Sequence, residues 1–471
     1  MNAIVLLSVL GIITMLSDIL GFKKHIWSII LLGLSAALFL TMTDWYLPNV
    51  YSDYIYVDNM VYIDSYSVIF SGLIITLVMI WFIISKDQYV LGHEFNASDN
   101  YALVLFATVG ALLLTCYMNL SLLFLGIEIL SIPLFILAGS RKHDLASNEA
   151  SLKYFLMGAF ATGILLFGIT LIYGACGSFN LADISTYVTS NNGNLPVMFY
   201  TGILLIMVGL GFKVSAVPFH FWTPDVYQGA PMFVTAFMAT VVKTAAFAGF
   251  FRLFSTCFTS INSSWAFTLS IIIAVTILVG NFLAVYQTSV KRMLAYSGIA
   301  QAGYILLTIL VLNQETKTAL FLYLASYSLS TLAAFTVLYH VAKTKGGDDS
   351  FDSFNSLGKT NPFLAFIMTI AMLSLAGIPP TVGFFAKFNL FSAVLRVDNM
   401  NNLWLVGIAV LGSLVSVYYY FKLIVNMYGK EGQSVSDIKL NFTYKAILVI
   451  MVGVIVLLGI LPGYILNITK L

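Results

Sequence analysis

Charge is what this sequence has least of. Only 9% of its 471 residues are Asp, Glu, Lys or Arg, against roughly 25% in a soluble domain. So little charge cannot clothe a surface in water, which excludes a soluble enzyme and a disordered chain. The formal net charge of +2 is too small to build the positive field that holds a nucleic acid. Cysteine is scarce too. Cys116, Cys176 and Cys257 stand far apart, with no CxxC pair and no His/Cys cluster. That spacing argues against a bound Fe–S cluster, a structural zinc or a disulfide framework. Runs of Ser, Pro or repeated charge are missing, and with them any interdomain linker. The most polar stretch, 343–361, reads as a solvated loop.

What the chain has in excess is apolar residues, at 60%. A transmembrane helix needs about 20 of them in a row. Apolar runs fall near 2–20, 26–43, 63–85, 100–116, 119–138, 151–174, 197–217, 232–254, 266–286, 293–312, 318–341, 362–395, 403–427 and 444–467, fourteen in all. They are too long, and alternate too little, for the strands of a membrane barrel. The expected fold is an all-α polytopic membrane protein, a single membrane domain over 1–471. It divides into a three-helix segment at 1–99, segments at 100–256 and 266–428, and a last helix within 429–471. Span seven runs into Pro218, and span twelve holds Gly377, Pro379, Pro380 and Gly383, so both are expected to break. Breaks five spans apart are what an inverted five-helix repeat would produce.

Orientation follows from Lys and Arg placement. Thirteen of these residues, from Lys23 and Lys24 to Lys445, fall in loops after odd-numbered spans. Four, Arg252, Lys317, Arg396 and Lys470, fall on the other side. The bias places the first set in the cytoplasm and both termini outside. The first span has no basic residue before it and two after it, the reverse of a secretory signal, so it reads as a retained helix.

Lys422 sits near a helix end, where it can snorkel. Lys153, Lys213, Lys243, Lys387 and Glu128 then remain inside apolar runs. Each central charge costs about 2.5–3.5 kcal/mol on insertion scales, and such residues commonly mark ion or proton pathways. Lysine suits proton work because, unlike arginine, it can give up its proton when buried. His220, just after Pro218, carries a group that titrates near neutral pH. Each residue also has a plainer reading as a packing partner. That reading is strongest for Lys153, four residues after Glu149, and for His220, a lone histidine at a helix break. Both breaks have a lysine within eight residues, and interrupted helices at membrane depth are tolerated only inside protein or beside water.

The segment GFKVSAVPFHFWTPDVYQGAP (211–231) resembles the hallmark of the antiporter-like membrane subunits of respiratory complex I, the NADH-quinone oxidoreductase. EASLKYFLMGAF (149–160), SVKRMLAYSGIAQAGY (289–304) and LSLAGIPPTVGFFAKF (373–388) match in the same order, and the likeness extends from about 100 to 430. The WTPDVYQGAP wording and the twelfth-span lysine are most similar to the N branch of that family. The resemblance implies that Glu128, Lys153, Lys213, His220, Lys243 and Lys387 line a proton path along the membrane midplane. It implies no cofactor in this chain, with NAD, FMN and Fe–S clusters in other subunits. The implied partners are the other membrane-arm and peripheral-arm subunits and the lipid of a bacterial inner membrane. One position departs from the pattern: Gln301 stands where many relatives have histidine, and Gln cannot titrate.

Three other readings compete. A subunit of a multisubunit cation/proton antiporter shares the motifs. A purely structural membrane subunit would need none of the buried charges. A quinone-binding enzyme would need a pocket that nothing in the sequence marks. The topology is testable at once. Reporter fusions after Lys142 and after Asn192 are expected to report opposite sides of the membrane, and the same side for both would overturn the assignment.

Overall fold

In lipid no water is available to an unpaired backbone N–H or C=O, so a spanning chain must satisfy these groups itself. The computed structural model does so almost wholly with helices. It describes residues 2–46, 55–56, 60–90, 97–191, 194–397, 402–431, 438–461 and 463. Lys470, most of the 44–61 loop and the end of the last apolar run lie outside the described residues.

The helices are α1 Asn2–Leu16, α2 Ile26–Tyr46, α3 Ser65–Val90, α4 Ala97–Cys116, α5 Leu120–Ala138, α6 Leu145–Cys176, α7 Leu181–Ser190, α8 Val197–Val214 and α9 Trp222–Gly229. Helix α10, Met232–Cys257, follows. The remainder are α11 Asn262–Val285, α12 Val290–Leu310, α13 Gln314–Thr344, α14 Pro362–Ala376, α15 Val382–Val397, α16 Leu403–Gly429 and α17 Phe442–Ile460. Among the described residues, twelve helices are long and apolar enough to cross a membrane, with Asn2–Leu16 and Pro362–Ala376 as shorter apolar helices. A two-stranded antiparallel ribbon pairs Ile55–Tyr56 with Val61–Tyr62. Span seven is interrupted between α8 and α9, and span twelve between α14 and α15.

Two compact units are formed. One comprises Met1–Val214 with Gly229–Thr268, the other Ser215–Gln228 with Leu269–Leu471. In the first, α4 lies so close to α5 that a Cβ on Gly110 would come within 2.4 Å of the Leu130 nitrogen. Asn119 caps α5, accepting from Ser121 N–H at 2.8 Å. Leu120 N–H donates to the Phe179 carbonyl and Leu181 N–H to that of Met118, both at 2.9 Å, pinning the start of α5 to the end of the α6 loop.

The second unit repeats the device 170 positions on, the residue donating to the cap excepted. Gly280 of α11 meets α12 in the same way, and a Cβ added there would stand 2.5 Å from the Ala300 nitrogen. Ser289 caps α12 through Arg292 N–H. Val290 N–H donates to the Asp349 carbonyl and Phe351 N–H to that of Thr288, at 2.8 and 3.2 Å. The neighbouring Asp348 fixes this turn. Its carboxylate accepts from Ser353 Oγ and Ser350 N–H, bonds that hold its pKa below the usual carboxylate range.

One basic residue does not lie where the charge count puts it. Arg252 is no outside loop residue: it sits inside α10, 5% exposed, with its guanidinium 2.6 Å from the Asp64 carboxylate and 5.1 Å from the centre of the Tyr66 ring. The partner comes from 188 residues away, so a charge counted with the outside loops is satisfied inside the span. Breaking a buried pair leaves a naked charge and costs about 3–5 kcal/mol, whereas an apolar replacement of both members is near neutral. Asp64→Ala is therefore expected to lower the thermal stability of the assembled protein by about 3 kcal/mol. Asp64→Ala with Arg252→Leu should recover most of the loss, and equal damage in both would refute the pairing as the cause.

Candidate functional site

Lys213 stands in the last turn of α8 and is 4% exposed. Its ammonium donates to Ser131 Oγ at 2.5 Å, and Ser131 in turn donates to the Ile127 carbonyl one turn back. Ser131 and Glu128 are three residues apart on α5 and so share a face. The carboxylate is within electrostatic reach of Lys213, but the ammonium's direct hydrogen bond goes to the hydroxyl. The Tyr154 ring centre lies 5.8 Å from the same nitrogen. Neither Ser131 nor Tyr154 was marked by sequence reasoning. The available signal for Ser131 was its helical spacing from Glu128.

Lys153, on α6, pairs with Glu149 at 2.7 Å, their side chains 41% and 64% exposed. The structure thus gives it a helix-surface pair rather than a buried position. Lys243 is the reverse case: it is 1% exposed and begins the part of α10 that follows a π-helical segment, Met238–Val242. Such a segment inserts an extra residue into the helical turn and is often found at functional sites.

The second unit holds His220 and Lys387. His220 lies in the non-helical stretch ahead of α9, 5% exposed, packed against Phe221, with no hydrogen-bond partner for Nδ1. The opened backbone there is tied by Val217 N–H to Thr276 Oγ1 at 2.9 Å and by Thr223 Oγ1 to Ser215 Oγ at 2.8 Å. Lys291 and Arg292, at the start of α12, hold α9. Lys291 donates to the Gln228 carbonyl at 3.0 Å, and Arg292 pairs with Asp225 at 2.9 Å. The KR of one resemblance motif therefore grips the DVYQ of another.

Lys387 lies in α15, 6% exposed, and donates to the Ala376 carbonyl at the end of α14, 3.0 Å away. Gln301 is engaged on both sides: it donates to the Leu375 carbonyl at 3.0 Å and accepts from Tyr323 OH at 2.5 Å. Among the described residues no cluster of three His, Cys, Asp or Glu is placed to hold a metal ion.

The profile of the NADH:quinone oxidoreductase/Mrp antiporter transmembrane family matches residues 118–416. NADH-quinone oxidoreductase subunit N of Cytophaga hutchinsonii is 49% identical over 470 residues, covering 99% of each chain. The chain belongs to this family. The subunit N of Flavobacterium johnsoniae is 41% identical, again over 99% of each chain. A chain of respiratory complex I from Thermus thermophilus superposes with a TM-score of 0.82 at 32% identity, over 99% of this chain and 98% of that one. A chain of the Mrp complex from Dietzia sp. shares the fold, with a TM-score of 0.84 at 19% identity over 100% and 97% of the two chains. The family match contains both interrupted helices and every residue from Glu128 to Lys387 discussed above. The protein is thus an all-α, multi-pass membrane protein of the antiporter-like fold.

Proposed function

We propose that this chain is a subunit N of a bacterial proton-translocating NADH:quinone oxidoreductase. In this reading it lies in the inner membrane among other membrane-arm and peripheral-arm subunits. It performs no redox step: NAD, FMN and the Fe–S clusters belong to other subunits, and this chain moves protons in response to quinone reduction elsewhere. Glu128, Lys153, Lys213, His220, Lys243 and Lys387 form the relay.

The observation that carries this reading is that Lys213, Lys243 and Lys387 are all buried to 6% exposure or less inside spans. Lys213 binds a hydroxyl and Lys387 a carbonyl, whereas Arg252 binds a carboxylate. An arginine paired for structure is locked to an acid. A lysine held by a hydroxyl or a carbonyl keeps a proton it can release. Lys153 enters the relay from the helix surface, in exchange with Glu149. The full-length likeness to subunit N relatives supports this assignment over an Mrp-type antiporter subunit, since the Mrp match at 19% identity speaks for the fold alone.

Proton uptake by membrane vesicles, per NADH oxidised and per assembled complex, tests the relay. Glu128→Gln and Lys387→Ala are expected to assemble and to lose about tenfold or more in translocation. Lys387→Arg keeps a charge that does not deprotonate and is expected to fail as well. Normal pumping by Lys387→Arg would show that a fixed charge suffices, and unchanged pumping by Glu128→Gln would make that residue structural. Copurification with NADH-oxidising subunits tests the assembly.

A further inference from the structure

Lys387 is held by different chemistry from Lys213, and the 170-residue correspondence carries Lys213 onto Gly383 rather than onto Lys387. Position for position, Glu128, Ser131 and Leu134 on α5 correspond to Gly298, Gln301 and Tyr304 on α12. The acid is gone, the hydroxyl that binds Lys213 has become an amide bonded elsewhere, and an aromatic ring has replaced a leucine. That ring lies beside the lysine: Lys387 Nζ is 5.1 Å from the Tyr304 ring centre, inside the roughly 6 Å over which a ring face attracts a cation.

The ring is itself fixed. Tyr304 OH accepts from Asn281 Nδ2 at 3.0 Å, and Asn281 Oδ1 accepts from Tyr419 OH at 3.0 Å. All three side chains are at most 1% exposed. Gly412 leaves the room this takes, since a Cβ there would lie 2.9 Å from Tyr304 Oη and 2.8 Å from Asn281 Nδ2. Gly377 leaves room for the lysine stem, since a Cβ there would come within 2.8 Å of Lys387 Cδ.

We infer that Tyr304 is a positioning residue for Lys387, its ring face serving the ammonium in place of a charged partner, with Asn281 and Tyr419 holding that ring in place. A ring attracts the ammonium far more weakly than a carboxylate at contact does. The amine is therefore kept at the helix break without being locked in an ion pair, and it can be loaded and unloaded with no acid moving beside it. The inference rests on the relay proposed above.

The test uses the assembled enzyme in membrane vesicles and reads protons taken up per NADH oxidised. Tyr304→Met fills similar space without a π face and is expected to lower the ratio about fivefold, while Tyr304→Phe restores most of it. Adding Tyr304→Met to Lys387→Ala is expected to change nothing further, because the ring acts through the amine. Asn281→Ala, which frees the ring without removing it, is expected to give an intermediate loss. Normal pumping by Tyr304→Met beside a defective Lys387→Ala would overturn the role of Tyr304 and leave the relay standing. Equal loss in the Phe and Met variants, or an additive double variant, would overturn it too. Normal pumping by Lys387→Ala would instead remove the relay reading itself.

Discussion

A polar group stranded in lipid costs several kcal/mol, and that single constraint orders this protein. It makes the spans helical, and it forces each interruption to find substitutes for lost helix bonds. Near the first break, Thr276 Oγ1 receives the Val217 N–H. At the second, the carbonyl of Ala376 receives Lys387. At each break the opened backbone offers groups that other protein groups satisfy.

The same constraint sorts the buried cations by their companions. Arg252 has a carboxylate at 2.6 Å. Lys213 has a hydroxyl, and Lys387 a carbonyl with a ring. The order runs from a carboxylate in direct contact to neutral groups that orient the amine, with the Glu128 carboxylate within electrostatic reach of Lys213. The buried cations thus differ in the chemistry beside them as much as in residue type. Lys291, 4% exposed and bonded to the Gln228 carbonyl, shows that the sorting reaches the ends of the spans as well.

The helical class, the interruptions and the buried Lys213, Lys243 and Lys387 were legible in the sequence because each violates the expectation for an apolar run. A proline or a lysine amid leucines needs a reason. Arg252 was misread because it stands near the end of a run, and only its distant partner Asp64 shows that it belongs inside. Ser131, Tyr154, Tyr304 and Asn281 were not found at all. Serine, tyrosine and asparagine are unremarkable in a membrane helix, and their importance comes from what the packing brings against them. The two breaks pointed to a repeat, but its residue-by-residue register was hidden. Its signature is a pair of close backbone approaches at Gly110 and Gly280 and two matching sets of loop bonds, which constrain geometry and leave the side chains free to diverge.

Helix α10 shows what this packing means mechanically. Near its start Trp81 Nε1 grips the Phe233 carbonyl at 2.6 Å. Toward its end Tyr66 and Tyr117 grip the carbonyls of Ala248 and Gly249 at 2.8 and 2.7 Å, and Asp64 grips Arg252. Lys243 lies between these clamps, nine residues before Arg252. At 100° per residue the two cations point about 180° apart, roughly 13 Å from each other along the axis. The helix is a beam clamped at both ends with its amine at midspan. Sliding or turning it as a whole would break several buried bonds together, so whatever changes around Lys243 must come to it through its own side-chain torsions or through water, while the beam stays still.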